Sequence, residues 1–459
     1  MAGIGFELRK LERRDDLLGV VEGYAHSALA STGPWLFTIL SLSGTVMFGS
    51  RFVSVDEMTQ FRLIIIYNFA FSLVMSAPIS VVSSRHLADS IYRKDLTKCP
   101  AALLSGILIV FALELPLVIM FYGYFLQLDL AVRLFAIANF FVVTAIWLAC
   151  VFLTALKDYK RLSFAFAAGM GAALAGAMIG APFFKLPGML FGFTAGLILL
   201  LCHLIGCVLA EYPYGISLPM GFGKQLRHYW DLALGGLVYN TAIWIDKCLM
   251  WSAPERVSLP SGMVSYPDYD SAMFLAFLTI VPSMACFVLS VETDFFEKYV
   301  QYYRDIQQHA TFSRIQRNHQ AIIQSVKRGS RNFIVLQGFV SLISIFLAPR
   351  LFAMLNVSFI QMAVFRIGVL GAFFHVLFLT MTILLSYFDK RKLALAIQLV
   401  FLATNTIFTL LTLRMGFQFY GYGYFVSTII TFALTFLALA RVLNRLPYET
   451  FVLNNSSVK

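Results

Sequence analysis

The side chains that could do chemistry in this sequence are few, and they stand in apolar surroundings. Gly236, Asn240, Trp244, Lys247 and Trp251 follow one another at steps of four, four, three and four residues. On a helix that spacing places them on one face, with Asp246 on the adjacent one. A Trp ring can stack on the apolar face of a sugar, while Asn and Lys donate hydrogen bonds to hydroxyls. The alternative is a belt of Trp and Lys that anchors a helix end at a membrane interface, with Lys247 close enough to that end to snorkel.

Two further stripes have the same helical spacing. Ser27, Ser31, Pro34, Thr38, Ser41 and Thr45 share one face, with Trp35 beside Pro34. Asn68, Ser72, Ser76, Ser80 and Ser84 recur every four residues. Ser and Thr hydroxyls can bond back to helix carbonyls, so either stripe fits close packing of small residues or a wet path for a hydroxyl-rich substrate. Glu114, near Pro116, and Arg366 are isolated charges that either pair or line a cavity. Gly33-Pro34 and Gly235-Gly236 suggest helix breaks at matching places, a pattern found along transporter paths.

No catalytic constellation survives. Gly223-Lys224 lacks the first glycine and the Ser/Thr of a phosphate loop, since Leu218 and Gln225 stand there. Asp268-Tyr269-Asp270 has the form of a nucleotide-sugar transferase motif but falls in an outer loop. Cys202-His203 and Cys207 lack partners for a metal, and the six cysteines form no CxxC pair. His203 and His375 read as helix-packing residues. No enzyme activity, metal or cofactor is expected.

The elements that carry these residues follow from composition. The chain is 59% hydrophobic and 13% charged, against about 25% charged in soluble domains. Its polar residues are islands between apolar runs of about 20 residues, each long enough to cross a bilayer core. Twelve helical spans are expected, near 27–49, 61–84, 101–123, 133–156, 162–182, 187–210, 231–252, 272–291, 333–355, 361–388, 393–413 and 420–441. No β-barrel alternation appears, so the fold class is an all-α membrane protein. No cleavable signal peptide is expected, because residues 1–26 are charged and lack an apolar core segment.

With the N-terminus inside, the inner segments hold 26 of the 35 basic residues and the outer loops 7. That asymmetry predicts cytoplasmic termini, and it accounts for the net charge of +11 without nucleic acid. A Gly/Pro-rich stretch at 211–230 predicts two six-helix lobes, 1–220 with an amphipathic lead-in and 221–459. Segment 292–332 is a polar cytoplasmic insert without proline. Phe295, Tyr299 and Tyr302 recur in it at helical spacing, which fits a helix on the membrane surface or a docking site for a cytoplasmic partner.

Twelve spans in two six-helix lobes resemble the multidrug/oligosaccharidyl-lipid/polysaccharide flippase superfamily. The opening Met1-Ala2-Gly3-Ile4-Gly5-Phe6-Glu7-Leu8-Arg9-Lys10, then Leu11-Glu12-Arg13, Gly33-Pro34-Trp35 and the insert before the ninth span are similar to the PelG family of Pel exopolysaccharide transporter subunits. The resemblance implies transport of an amino-sugar-rich polysaccharide across the bacterial inner membrane for a biofilm matrix. It also implies a cytoplasmic glycosyltransferase and membrane subunits as partners, one of them sensing cyclic di-GMP. It carries over no site residues. One departure stands out: residues 27–49 hold no Asp or Glu, so the acid that drug exporters of the superfamily use for cation coupling in that helix is missing. Synthesis could then push the polymer outward. The rival readings are an ion-coupled exporter of small cationic molecules, with Glu114, Asp246 and Glu292 as its only candidate acids, and a non-conducting anchor for a glycosyltransferase.

Overall fold

The computed structural model describes residues 17–156, 159–214, 222–354 and 359–453, with side chains described from Gly33 onward. The described residues are helical apart from short connections and one two-residue hairpin. Helix α1 spans Leu17–Gly49 and α2 spans Val55–Arg93. A capping box starts α2: Ser54 accepts from the Glu57 amide at 3.2 Å and the Glu57 carboxylate accepts from the Ser54 amide at 2.9 Å. Helix α3, Cys99–Met120, runs into a π-helical turn at Phe121–Phe125, and α4 covers Leu130–Leu156.

Helix α5, Tyr159–Glu211, is two antiparallel passes joined at Lys185, whose φ of 50° and ψ of −131° reverse the chain. Glycines let the passes touch: a Cβ at Gly176 would lie 2.4 Å from the Gly192 carbonyl oxygen, and one at Gly180 would lie 2.1 Å from that of Gly188. Small residues are what allow such close backbone approach in a bilayer.

Helices α6 (Phe222–His228) and α7 (Trp230–Met250) follow. Strands β1 (Val257–Ser258) and β2 (Val264–Ser265) pair antiparallel. Beyond them come α8 (Pro267–Leu278) and α9 (Val281–Ser290), which make up the eighth span in two pieces. Pro282 begins α9 and donates no hydrogen bond, while the Thr279 and Ile280 amides bond three residues back, so the ladder breaks there. A π turn at Val291–Phe295 leads into α10 (Phe296–Gln307), α11 (Phe312–Met354), α12 (Phe359–Tyr387), α13 (Arg391–Met415) and α14 (Tyr422–Tyr448). Among the described residues nine helical segments are long and apolar enough to cross a membrane.

The expected helix breaks do not occur. Helix α1 continues through Pro34 and α7 through Gly235-Gly236. Breaking a helix in lipid strands backbone groups that no water can satisfy. Gly236 serves packing instead: a Cβ there would lie 2.9 Å from Val81 Cγ2 and 3.1 Å from the Ala77 carbonyl of α2.

The chain forms two compact units. One holds Gly33–Trp244 and Trp251–Tyr266; the other holds Ile245–Met250 and Pro267–Lys459. In the first, Phe61, Ile64, Val143, Leu148, Phe193 and Leu197 are among the fully enclosed core side chains. In the second, Ile322, Leu385, Leu439 and Leu443 pack around Tyr302. Loops assigned to the same side of the membrane by the cation count touch one another. The Gln127 amide donates to the Ser261 carbonyl at 3.0 Å, and the Tyr229 hydroxyl to Asp89 at 2.5 Å. Lys390 pairs with Glu449 at 2.7 Å.

Candidate functional site

The last turns of α7 carry a buried ion pair in the second unit. Asp246 is 0% exposed and Lys247 is 7% exposed. The Lys247 ammonium stands 3.2 Å from both Asp246 oxygens. The Tyr269 hydroxyl, from the first turn of α8, donates to Asp246 Oδ2 at 2.9 Å. Lys247 Nζ also lies 4.9 Å from the centre of the Phe277 ring, a cation–π contact. Phe277 sits beside His375 of α12 and Tyr424 of α14, whose side chains are hydrogen-bonded at 3.0 Å. The first turn of α8 thus meets two other helices through polar atoms, α7 at Asp246 and α12 at Gln361. Its Asp268 accepts from Gln361 of α12 at 2.6 Å.

Charges buried this deeply persist only when each finds a partner. Here the ammonium occupies the position that a bound cation would need beside Asp246, so the pair is neutral as a unit. Asp268, Tyr269, His375 and Tyr424 were not legible as its members from the sequence. Asp268 and Tyr269 lie in a motif that matches a transferase signature, and only packing turns them toward Gln361 and Asp246.

In the first unit, Asn68 is closed off rather than open to a path. It donates at 2.9 Å to both the Ala136 carbonyl and Asn139 Oδ1, and it accepts from the Tyr122 hydroxyl. Asn139 donates in turn to Thr194 at 3.1 Å. The network ties α2 to α4, α5 and the π turn after α3. Ser72 accepts from Trp147 Nε1 of α4 at 3.1 Å. Asn68 and Ser72 thus make helix–helix contacts, one of the two uses open to their stripe, because the buried face they share meets α4. Glu114 is likewise enclosed, and Thr144 donates to its Oε2 at 2.9 Å.

The expected stripe on α7 divides between the units. Asn240 donates to the Gly236 carbonyl of its own helix at 2.8 Å, Trp244 is half-buried, and Trp251 stacks on Tyr67 at 4.8 Å between ring centres. Gly236, Asn240, Trp244 and Trp251 belong to the first unit, whereas Asp246 and Lys247 belong to the second. In α1, Thr38 donates to the Pro34 carbonyl at 2.9 Å and Trp35 is partly exposed; the side chain of Ser31 lies outside the described residues. Arg366 of α12 is half-buried, and its Nε is enclosed without a hydrogen-bond partner.

The insert has the helical form its periodicity suggests, but its aromatic stripe faces inward. Phe295 and Tyr302 are buried, and Tyr299 donates to the Tyr387 carbonyl at 2.9 Å. Phe295 packs edge-on against Tyr387 and Phe388. Phe295 and Tyr302 are thereby closed to a partner, whereas Tyr299 is half-buried against the end of α12. Asp305 closes the α10–α11 turn, accepting from Arg314 Nε at 2.6 Å and Asn318 at 2.8 Å. Burial pushes the Asp305 carboxyl up, but the hydrogen bonds from Arg314 and Asn318 outweigh it and hold the group below the ordinary aspartate value.

Comparison with known proteins places this geometry. A MOP-superfamily transporter from Pyrococcus furiosus, described as having reversed binding-pocket polarity, aligns with TM-score 0.63 at 11% identity, over 92% of this chain and 96% of its own. An outward-facing multidrug resistance MATE family transporter of the same superfamily aligns with TM-score 0.65 at 12% identity, over 92% and 96%. An inward-facing one aligns with TM-score 0.60 at 12% identity, over 91% and 99%. At these identities the likeness shows the fold alone. No curated protein matches the chain at a significant level. The family model PelG, described as "Putative exopolysaccharide Exporter (EPS-E)", matches residues 1–451. On a transporter fold and over nearly its whole length, this chain belongs to the PelG family of exopolysaccharide exporters.

Proposed function

We propose that this chain is the conduit through which an amino-sugar-rich exopolysaccharide of the Pel type leaves the bacterial cytoplasm. It passes the polymer from a cytoplasmic glycosyltransferase across the inner membrane to the periplasm, for a biofilm matrix. The observation that carries the reading is the family match over residues 1–451 on a MOP-superfamily fold. The rival of an ion-coupled exporter of cationic molecules needs an available acid. Asp246 is neutralised by Lys247 and Glu114 is enclosed against Thr144, while the side chain of Glu292 lies outside the described residues. The anchor rival leaves a whole transporter fold without a use. Partners of the conduit are the glycosyltransferase and membrane subunits, including one that senses cyclic di-GMP. Two six-helix lobes, 1–220 and 221–459, give the twelve spans when α1 and α7 join the nine long segments and α5 counts twice.

The direct test is polymer accumulation in membrane vesicles holding the synthase with and without this chain. Accumulation that does not depend on the chain rejects the conduit. Within that assay Trp244→Ala is expected to reduce export several-fold at normal protein abundance. Full export at that abundance removes Trp244 from the path. Asn240, Pro34, Trp35, Thr38 and Arg366 are the secondary candidates.

Orientation has its own test. Ser261, in the outer loop, is buried, so Val257, on exposed β1, makes the better reporter. In a cysteine-free background, Val257→Cys in intact cells should react with a membrane-impermeant maleimide, and Lys392→Cys only after lysis. The reverse pattern overturns cytoplasmic termini.

A further inference from the structure

A groove lies between the α10–α11 turn and the end of α14. Ala310, Phe312, Ile315, Pro447, Tyr448 and Phe451 line it, around about 530 Å³. Phe312 is 68% exposed, Tyr448 54% and Phe451 37%. The same segment hides Phe295 and Tyr302, so its interior is already filled and these rings are left over. The exposed charge on the adjoining helix ends is mainly basic. Arg304, Arg317, Arg441 and Arg445 are exposed on the same helix ends, and the side chain of Arg314 is 56% exposed beyond its bond to Asp305. The neighbouring acids are engaged: Asp305 by Arg314 and Asn318, Asp294 by Lys298 and Ser325, and Glu449 by Lys390.

The groove residues lie beyond the ends of the apolar runs of α11 and α14. Tyr448 lies seven residues past Arg441, where the apolar run of α14 ends, which is about 10 Å at 1.5 Å per residue. Phe312 lies nineteen residues ahead of Arg331 on α11, about 28 Å by the same rise. The headgroup layer is about 5–8 Å deep on each side.

We propose that this groove seats an amphipathic helix of a cytoplasmic protein partner. Its apolar face would cover Phe312, Tyr448 and Phe451, and acidic residues flanking that face would meet the arginines. The proposal rests on the reading that this end is cytoplasmic. The maleimide pattern tests that reading separately, so either can fail alone.

The probe is a fluorescent synthetic peptide of about eighteen residues, five helical turns. It carries Leu and Phe on one face and Glu on the flanks, and it is titrated against the full chain in neutral-lipid nanodiscs. Saturable binding should weaken about tenfold in Phe312→Ser and in Tyr448→Ser, both exposed positions. The double charge reversal Arg317→Glu/Arg445→Glu should lose the Glu peptide and gain its Lys counterpart. Retention of that preference by the charge-reversed protein overturns the proposal, as does binding equal in wild type and variants. Two other occupants would show themselves. If the serine variants instead abolish capture of phosphatidylserine-rich vesicles, with peptide binding unchanged, the groove belongs to lipid. If they abolish a concentration-dependent dimer, it belongs to a second copy.

Discussion

Lys247→Met is expected to lower stability by about 3–5 kcal/mol, the cost of stripping one partner from a buried ion pair. The ammonium stands 3.2 Å from both Asp246 oxygens, so its loss leaves an enclosed carboxylate bonded to the Tyr269 hydroxyl without its counter-charge. Asp246→Leu should be comparably harmful, because it strands Lys247. The double variant Asp246→Leu/Lys247→Met should recover most of the loss, since a buried pair replaced by apolar groups of similar volume is often neutral or better. Thermal unfolding in detergent, read by the size-exclusion profile of the surviving monomer, measures all three. A single variant as stable as wild type would show that the pair is open to water. Export by the recovered double variant then separates two roles. Full export means the pair only fastens α7 to α8, and lost export at normal abundance means the polymer meets it.

Gly192→Val should also be poorly tolerated, for a steric reason. Even a Cβ at this position would lie 2.0 Å from the Gly176 carbonyl oxygen and 2.2 Å from its carbon. Those atoms are backbone, so no side chain can swing away. The two passes of α5 must separate, at a cost of about 3 kcal/mol, the upper end of ordinary overpacking. Loss of most folded protein is the expected result, and with it export. The control lies on the same helix: Gly171 has no neighbour within 4 Å of an added Cβ, and Gly171→Ala should fold like wild type. Equal yields of Gly192→Val and wild type would mean that the hairpin does not close as described.

The sequence by itself determined the helices and their membrane character. Apolar runs of bilayer length, basic islands between them and the absence of strand alternation are local properties, legible in any window of about twenty residues. The proline-free insert was legible as helix for the same reason. What no window contains is the partner of a polar face. Asn68 finds Asn139 seventy-one residues on, and Tyr269 reaches Asp246 across the β-hairpin. In a bilayer a stripe of hydroxyls has the same spacing whether it meets a wet path or another helix, because both satisfy it. Only the tertiary packing put Asn68 and Ser72 against α4. Phe295 and Tyr302 pose the same ambiguity: periodicity shows that a face is apolar, and the position of Phe388 and Leu385 decides that it turns inward. The exposed rings of Phe312 and Tyr448 were likewise invisible, since exposure is what remains after every other face has found its neighbour.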